Sequence, residues 1–397
     1  MEESVFKDGL LYFLLLTALG LGWWLGRRRV SGYAQRGGTP NKDYFIGLNF
    51  LLNDEPDDAI DIFIESLEIN SSTLDTHMAL GTLLRRRGKV DRSIAVYQDL
   101  LGRSGFTRDE VNEIKINLVQ SYISAGLLDR AEHLLEELRQ EKGGIKVKAL
   151  VHSAHVYQLE KDWVNGVAAL TDLLRVCPPG KGQEYQHLAS HFYCELAEIE
   201  LDNGHMSQAR EYLQQAWNQD RGNVRVSILR GHLEQRCGNY GEAIKQYLQV
   251  KKQDSVFMAD VFFPLLECYR KAGKTKGLHK FIESSLESED HASVLLGLAE
   301  HLEQEEGSQA AINFLLRRLE RKPSLRLLHQ ALVLKADLPE DHPENLALFQ
   351  RVLNSYINSK AQYCCENCGF ELKSLHWHCP SCSRWGSVKH VMGVLGE

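Results

Sequence analysis

A chain of 397 residues is long for one compact core, so several domains or an extended repeat array are expected. Its 43% hydrophobic and 25% charged residues are ordinary for a folded protein. A formal charge of -7 argues against nucleic acid as a partner, because phosphate binding needs a concentrated basic face. With only nine prolines, and with leucine, alanine and glutamate throughout, the chain reads as all-α.

The first element, Gly9 to Gly26, is 18 residues without a charge. As a helix it would span roughly 27 Å, enough for a bilayer core. Trp23 and Trp24 sit at its end and Arg27, Arg28 and Arg29 follow. A cleaved signal peptide would carry its positive charge before the apolar run, yet here Glu2, Glu3 and Asp8 lead. Residues 1–29 therefore read as an uncleaved transmembrane anchor, with the bulk of the chain on the cytoplasmic side. Gly22 and Gly26 form a G-x-x-x-G pair that permits close packing of helices in a membrane, and with it a homodimer. Residues 30–42, rich in glycine and polar residues, read as a flexible connector.

From residue 43 a period appears. A small residue recurs at Ala59, Ser93, Ala131, Gly166, Ala209, Ala243 and Ala311, with Leu278 in the same register, at intervals of 33 to 43 residues. Four residues after each stands a large one: Phe63, Tyr97, Leu135, Leu170, Leu213, Tyr247, Ile282 and Leu315. Turn glycines fall at Gly88, Gly126, Gly204, Gly238 and Gly273. Pairs of antiparallel helices need small residues where they touch and a large one filling the gap beside them. The period is that of the tetratricopeptide repeat. Residues 43–360 therefore read as a superhelix of about eight to nine helix pairs. A loop insertion is expected from Cys177, Pro323 should follow a second helix, and a last helical stretch, Leu325 to Lys360, should cap the array. Cys177, Cys194, Cys237 and Cys268, scattered singly in apolar helical contexts, read as buried free thiols.

The array carries no recognisable chemistry. Ala272–Thr275 resembles part of a phosphate loop but lacks the required upstream glycine, where Cys268 stands, and it falls at a repeat turn. His187/His191 and His152/His155 are helical pairs without the carboxylate motif of a metalloenzyme, so packed or surface histidines are expected. Glu136/Glu137 and Glu305/Glu306 belong to solvated helix faces. No catalytic residue is assigned.

Residues 361–397 are different. Two Cys-x-x-Cys pairs, Cys365/Cys368 and Cys379/Cys382, can face each other as a tetrahedral four-sulfur cage for one metal ion, zinc or iron. Gly369 would supply the unusual backbone of the first knuckle and Pro380 would stiffen the second. Ten residues between the pairs make a minimal module whose folding free energy the metal would supply. Cys364 lies outside the x-x spacing and reads as a spectator, while His376 and His378 are substitute ligands of lower rank.

In its order of anchor, repeats and rubredoxin-like or zinc-ribbon knuckles, the chain resembles the lipopolysaccharide assembly protein B family of Gram-negative bacteria. The residues that carry the resemblance are Arg27–Arg29, H-F-Y-C-E-L-A from His191, R-V-S-I from Arg225, C-E-N-C-G-F from Cys365 and W-H-C-P-S-C-S-R-W from Trp377. The family's metal cysteines carry over onto Cys365, Cys368, Cys379 and Cys382, and Cys364 departs from the basic residue expected before the first ligand. The resemblance implies a non-catalytic inner-membrane adaptor. It would help an FtsH-type membrane protease degrade the lipid A deacetylase, and gather other lipopolysaccharide synthesis and export proteins. The alternative is a redox-sensing signalling protein in which the four-cysteine site is the sensor.

Overall fold

The computed structural model describes residues 73–397 apart from 179, 275, 279, 283–290, 337–342 and 395. The expected anchor, the connector and the first repeat contact, Ala59 with Phe63, lie outside the described residues. Among the described residues, no helix is long and apolar enough to cross a membrane.

The chain divides into two units, residues 1–145 and 146–397. In the first, α1 (Leu74–Arg86), α2 (Val90–Gly102), α3 (Arg108–Ser124) and α4 (Leu128–Arg139) follow one another as two helix pairs. The α3 start is locally encoded: the Thr107 side chain accepts from the Glu110 amide, and the Glu110 carboxylate accepts from the Thr107 amide at 2.7 Å. The second unit runs through α5 (Gly144–Glu160, from its third residue), α6 (Trp163–Val176), α7 (Gln183–Asp202), α8 (Met206–Gln219), α9 (Val224–Arg236) and α10 (Tyr240–Gln253). A single 3-10 turn, Ser255–Phe257, then leads into α11 (Met258–Lys271), and helical residues recur at 276–278 and 280–282. The array continues with α12 (Ala292–Glu306), α13 (Ser308–Arg321), α14 (Leu325–Ala336) and α15 (Pro343–Ser359). Pro323 follows the end of α13, as expected.

The small–large pattern has a direct steric cause. A Cβ on Gly81 of α1 would lie 2.5 Å from the Tyr97 ring of α2, and one on Gly231 of α9 would lie 2.3 Å from the Tyr247 ring of α10. Both contacts are closer than any real Cβ can come, so only glycine lets each tyrosine lie flat across the helix crossing. Ser93 adds a polar tie, its hydroxyl donating to the Gly81 carbonyl at 2.8 Å. Every described member of the small and large series is buried. Leu278 is accommodated because the preceding Gly277 makes the close approach instead, its Cβ position 3.1 Å from the Tyr269 ring.

The turn glycines Gly88, Gly126, Gly204, Gly238 and Gly273 all take positive φ, between 63° and 82°. Gly307, not singled out in the sequence, does so between α12 and α13 at 90°. Between α5 and α6 the same position is Lys161 at φ 58°, a left-handed conformation held without glycine.

Two expectations need correction. Cys194 and Cys268 are buried, but Cys177 is half-buried and Cys237 exposed. Those two are the C-cap residues of α6 and α9, where the chain leaves the core, rather than members of a helix's apolar face. The chain is also not wholly α. Its last segment carries a three-stranded antiparallel sheet of β1 (Tyr363–Cys365), β2 (Glu371–Leu372) and β3 (Val388–His390), in the order β2-β1-β3. Tyr363 faces Leu372 on one side and His390 on the other.

Candidate metal centre

The two knuckles repeat one hydrogen-bond pattern. In the first, the Gly369 amide donates to the Cys365 carbonyl at 2.8 Å and the Cys365 amide to the Phe370 carbonyl at 3.0 Å. In the second, the Ser383 amide donates to the Cys379 carbonyl at 2.9 Å and the Cys379 amide to the Arg384 carbonyl at 3.0 Å. Gly369 at φ 74° and Ser383 at φ 56° close the two turns, so the freedom expected of Gly369 is used.

These turns bring the four sulfurs of Cys365, Cys368, Cys379 and Cys382 within 4.8 Å of one another. Cys365 Sγ lies 3.7 Å from Cys382 Sγ, and Cys368 Sγ lies 3.7 Å from Cys379 Sγ. A tetrahedron with metal–sulfur bonds of about 2.3 Å has sulfur–sulfur edges of about 3.8 Å, so the donor set fits one thiophilic ion. Burial alone raises the Cys365 thiol, but the Ser387 hydroxyl, 3.2 Å away, and the amides of Cys368 and Asn367 outweigh it and bring it below its usual range. Asn367 and the Arg384 amide lower Cys382, while burial raises Cys379. Hydrogen bonds aimed at sulfur favour the thiolate, the form a metal takes.

The other sequence candidates do not join the cage. Cys364 Sγ donates to the Cys365 carbonyl at 3.8 Å. His376 is hydrogen-bonded to Ser374 at 3.3 Å, and His378 Nε2 faces Gln158 of α5 at 3.1 Å. His187 pairs with Asp220 at 2.7 Å. His191 stacks on Trp385 with ring centres 5.0 Å apart. These last contacts belong to a surface the sequence did not reveal, on which the module lies against the helices.

That surface is built around Arg225, on α9 and 1% exposed. Its guanidinium reaches Glu195 of α7 at 2.8 Å and Glu198 at 2.9 Å. It lies 5.8 Å from the Trp377 ring centre and 5.9 Å from that of Trp385. Burial raises the Glu198 carboxyl despite the guanidinium beside it. His191 is held well below the usual histidine range by burial and by neighbouring His187, Arg225 and His378, so a neutral imidazole stacks on Trp385. The Trp385 indole N–H donates to Gln158 at 3.0 Å, and Trp377 stacks on Phe257 at 5.2 Å. Farther along, Asp260 of α11 binds Tyr363 at 3.2 Å and His390 at 2.9 Å, and Lys389 pairs with Asp254 at 3.1 Å. Glu397 accepts from the Ser293 amide of α12 at 2.7 Å and pairs with Arg326 of α14. Six first helices of successive pairs, α5, α7, α9, α11, α12 and α14, thus touch the C-terminal segment.

Comparison with known proteins places both parts. A family model described as "Rubredoxin metal binding domain" matches residues 363–390, and one described as "Tetratricopeptide repeat" matches residues 78–144. Lipopolysaccharide assembly protein B of Escherichia coli is 32% identical over 390 residues, 98% of this chain and 99% of that protein. The Haemophilus influenzae protein of the same name is 31% identical over 96% of this chain and 98% of its own length. A tetratricopeptide repeat protein of Parabacteroides merdae superimposes with a TM-score of 0.35 at 14% identity, covering 66% of this chain and 99% of its own.

Proposed function

We propose a function from one premise: this chain belongs to the lipopolysaccharide assembly protein B family. It acts in lipopolysaccharide assembly through protein partners, on a scaffold fold rather than a catalytic one. Cys365, Cys368, Cys379 and Cys382 hold one ion, zinc or iron, and the ion folds the C-terminal module. Residues 1–29 tether the chain to the inner membrane with its body in the cytoplasm, residues 30–42 link, residues 43–360 bind clients, and residues 361–397 form the metal module. The client is the lipid A deacetylase, presented to an FtsH-type protease. What supports this reading is the whole-length match to the named relatives together with a four-sulfur set of tetrahedral dimensions.

Depletion of the protein in its own cells tests the adaptor. The deacetylase half-life should lengthen and its level rise several-fold, and an unchanged half-life overturns the adaptor reading. Elemental analysis of the purified full chain should give one zinc or iron per chain. A second reading, a redox sensor, draws on the exposed position of Cys368. It requires iron whose reduction changes client binding, and tightly held zinc removes it.

A further inference from the structure

We propose that Arg225, braced by Glu195 and Glu198 and flanked by His191, is a seat for Trp377 and Trp385, through which metal binding at the cysteine cage closes the module onto the first-helix face. The inference rests on the metal reading above and adds to it the residues that transmit the metal's effect to the array.

Three observations carry it. The first is placement in sequence. Trp377 stands two residues before Cys379 and Trp385 three after Cys382, so the two rings bracket one knuckle. Their spacing is set when that knuckle closes, and the Gly386 amide, donating to the Trp377 carbonyl at 2.7 Å, ties the two ring-bearing segments together. The second is the asymmetry of the seat. Arg225, Glu195, Glu198 and His191 lie on α7 and α9, whose own contacts include a core of Cys194, Ala197, Leu213, Val226 and Leu233, independent of the cage. The receptor half therefore persists when the module is unfolded, and only the ligand half depends on metal.

The third is burial. At 1% exposure the guanidinium is paired through Nε and Nη2 with two carboxylates, while Nη1 is buried without a hydrogen-bond partner and the two indole rings lie within 6 Å of the group. Gly386 takes φ 63°, a left-handed turn that favours glycine, and it faces the imidazoles of His187 and His191 at ordinary contact distance. With the cage empty, a module of this size cannot hold the two indoles in register, and the chain entropy of residues 361–397 favours release. The ion triad then returns to water at little cost, since all three charges solvate together. Metal content is thereby converted into covering or baring a face built from α5, α7 and α9.

Amide hydrogen exchange on the full chain in detergent, with metal content measured on the same samples, tests this. Removing the metal with a chelator should raise exchange about tenfold or more in residues 363–390, and also in the parts of α5, α7 and α9 beneath the module. Protection of those helices that is unchanged when the module opens overturns the coupling. Trp377→Ala combined with Trp385→Ala leaves the cysteines and the array core in place. It should keep one metal per chain while giving the helix exchange of the stripped protein. Wild-type helix protection in that variant overturns the seat. Arg225→Lys, which keeps the charge but loses the planar fork, should fall between the two. A wild-type chain that takes up neither zinc nor iron overturns the metal reading instead, and the tryptophan variant still decides whether the seat exists.

Discussion

The helix pairs and the cysteine module are stabilised in opposite ways. The helices close on repeated local contacts of a small residue against a large side chain, within a pair as in Gly81 with Tyr97 or Gly231 with Tyr247, and between pairs as in Gly166 with Phe192. The module has almost no core: Cys365, Leu372, Cys379 and Val388 are its buried cluster, and two of the four are metal-ligand candidates. Stability in the array is therefore spread over many equivalent joints, and in the module it is concentrated at one point. Damage to the first should be graded, and damage to the second all-or-none.

The largest effect is expected at that point. Serine at any one of Cys365, Cys368, Cys379 or Cys382 should abolish tight metal binding, worth about 10–16 kcal/mol in small structural zinc sites. The helical circular dichroism should be nearly unchanged. A collapse of the whole helical signal in such variants breaks the comparison, because it makes the module part of the array's own stability.

Next is a single joint. Gly231→Ala pushes a methyl into the Tyr247 ring, which is fully buried and has nowhere to turn. Overpacking of this kind costs about 1–3 kcal/mol, more than the helix propensity alanine adds. Thermal melting should fall by several degrees with metal content unaffected.

A smaller effect should follow pH. His191 is neutral in the docked state and held below its ordinary value of 6.5 by burial, His187, Arg225 and His378, with Glu195 and Glu198 completing the charges around the seat. The released or unfolded form takes up a proton first, so docking weakens as the pH falls below 6.5 and is unaffected above it. Exchange of the module at pH 7.5 and at pH 5.5 measures this, and His191→Phe, which keeps the stacking, should reduce the dependence. The smallest change is a gain. Lys161→Gly relieves a left-handed lysine and should stabilise the second unit by about 0.5–1 kcal/mol in denaturant melts.

The same contrast explains what could be read from residues alone. The array announces itself because its rule is local and repeated. A glycine at a turn and an alanine four residues before a large side chain carry their meaning in sequence, and the buried series from Ser93 to Leu315 shows it. The cage is legible for a similar reason, since both knuckles are short and alike. Arg225 is not legible. It is the second residue of α9, where an arginine ordinarily faces water, and the groups that bury it lie 27 and 30 residues away in α7 and 152 and 160 away in the module. Lys161 hid because its turn lacks the glycine that marks the others. The strands are not legible because two or three residues are too few to show alternation.

The cage is not equally enclosed on all sides. Cys365 and Cys379 are 1% and 0% exposed, Cys382 is half-buried and Cys368 is open to solvent. With a metal bound, Cys368 would be the sulfur a chelator, a competing ion or an oxidant reaches first, and Cys365 and Cys379 the two best shielded from it. Were an ion held there, its exchange would begin on one side, at the Cys368 sulfur, and would not depend on the affinity of the whole set alone.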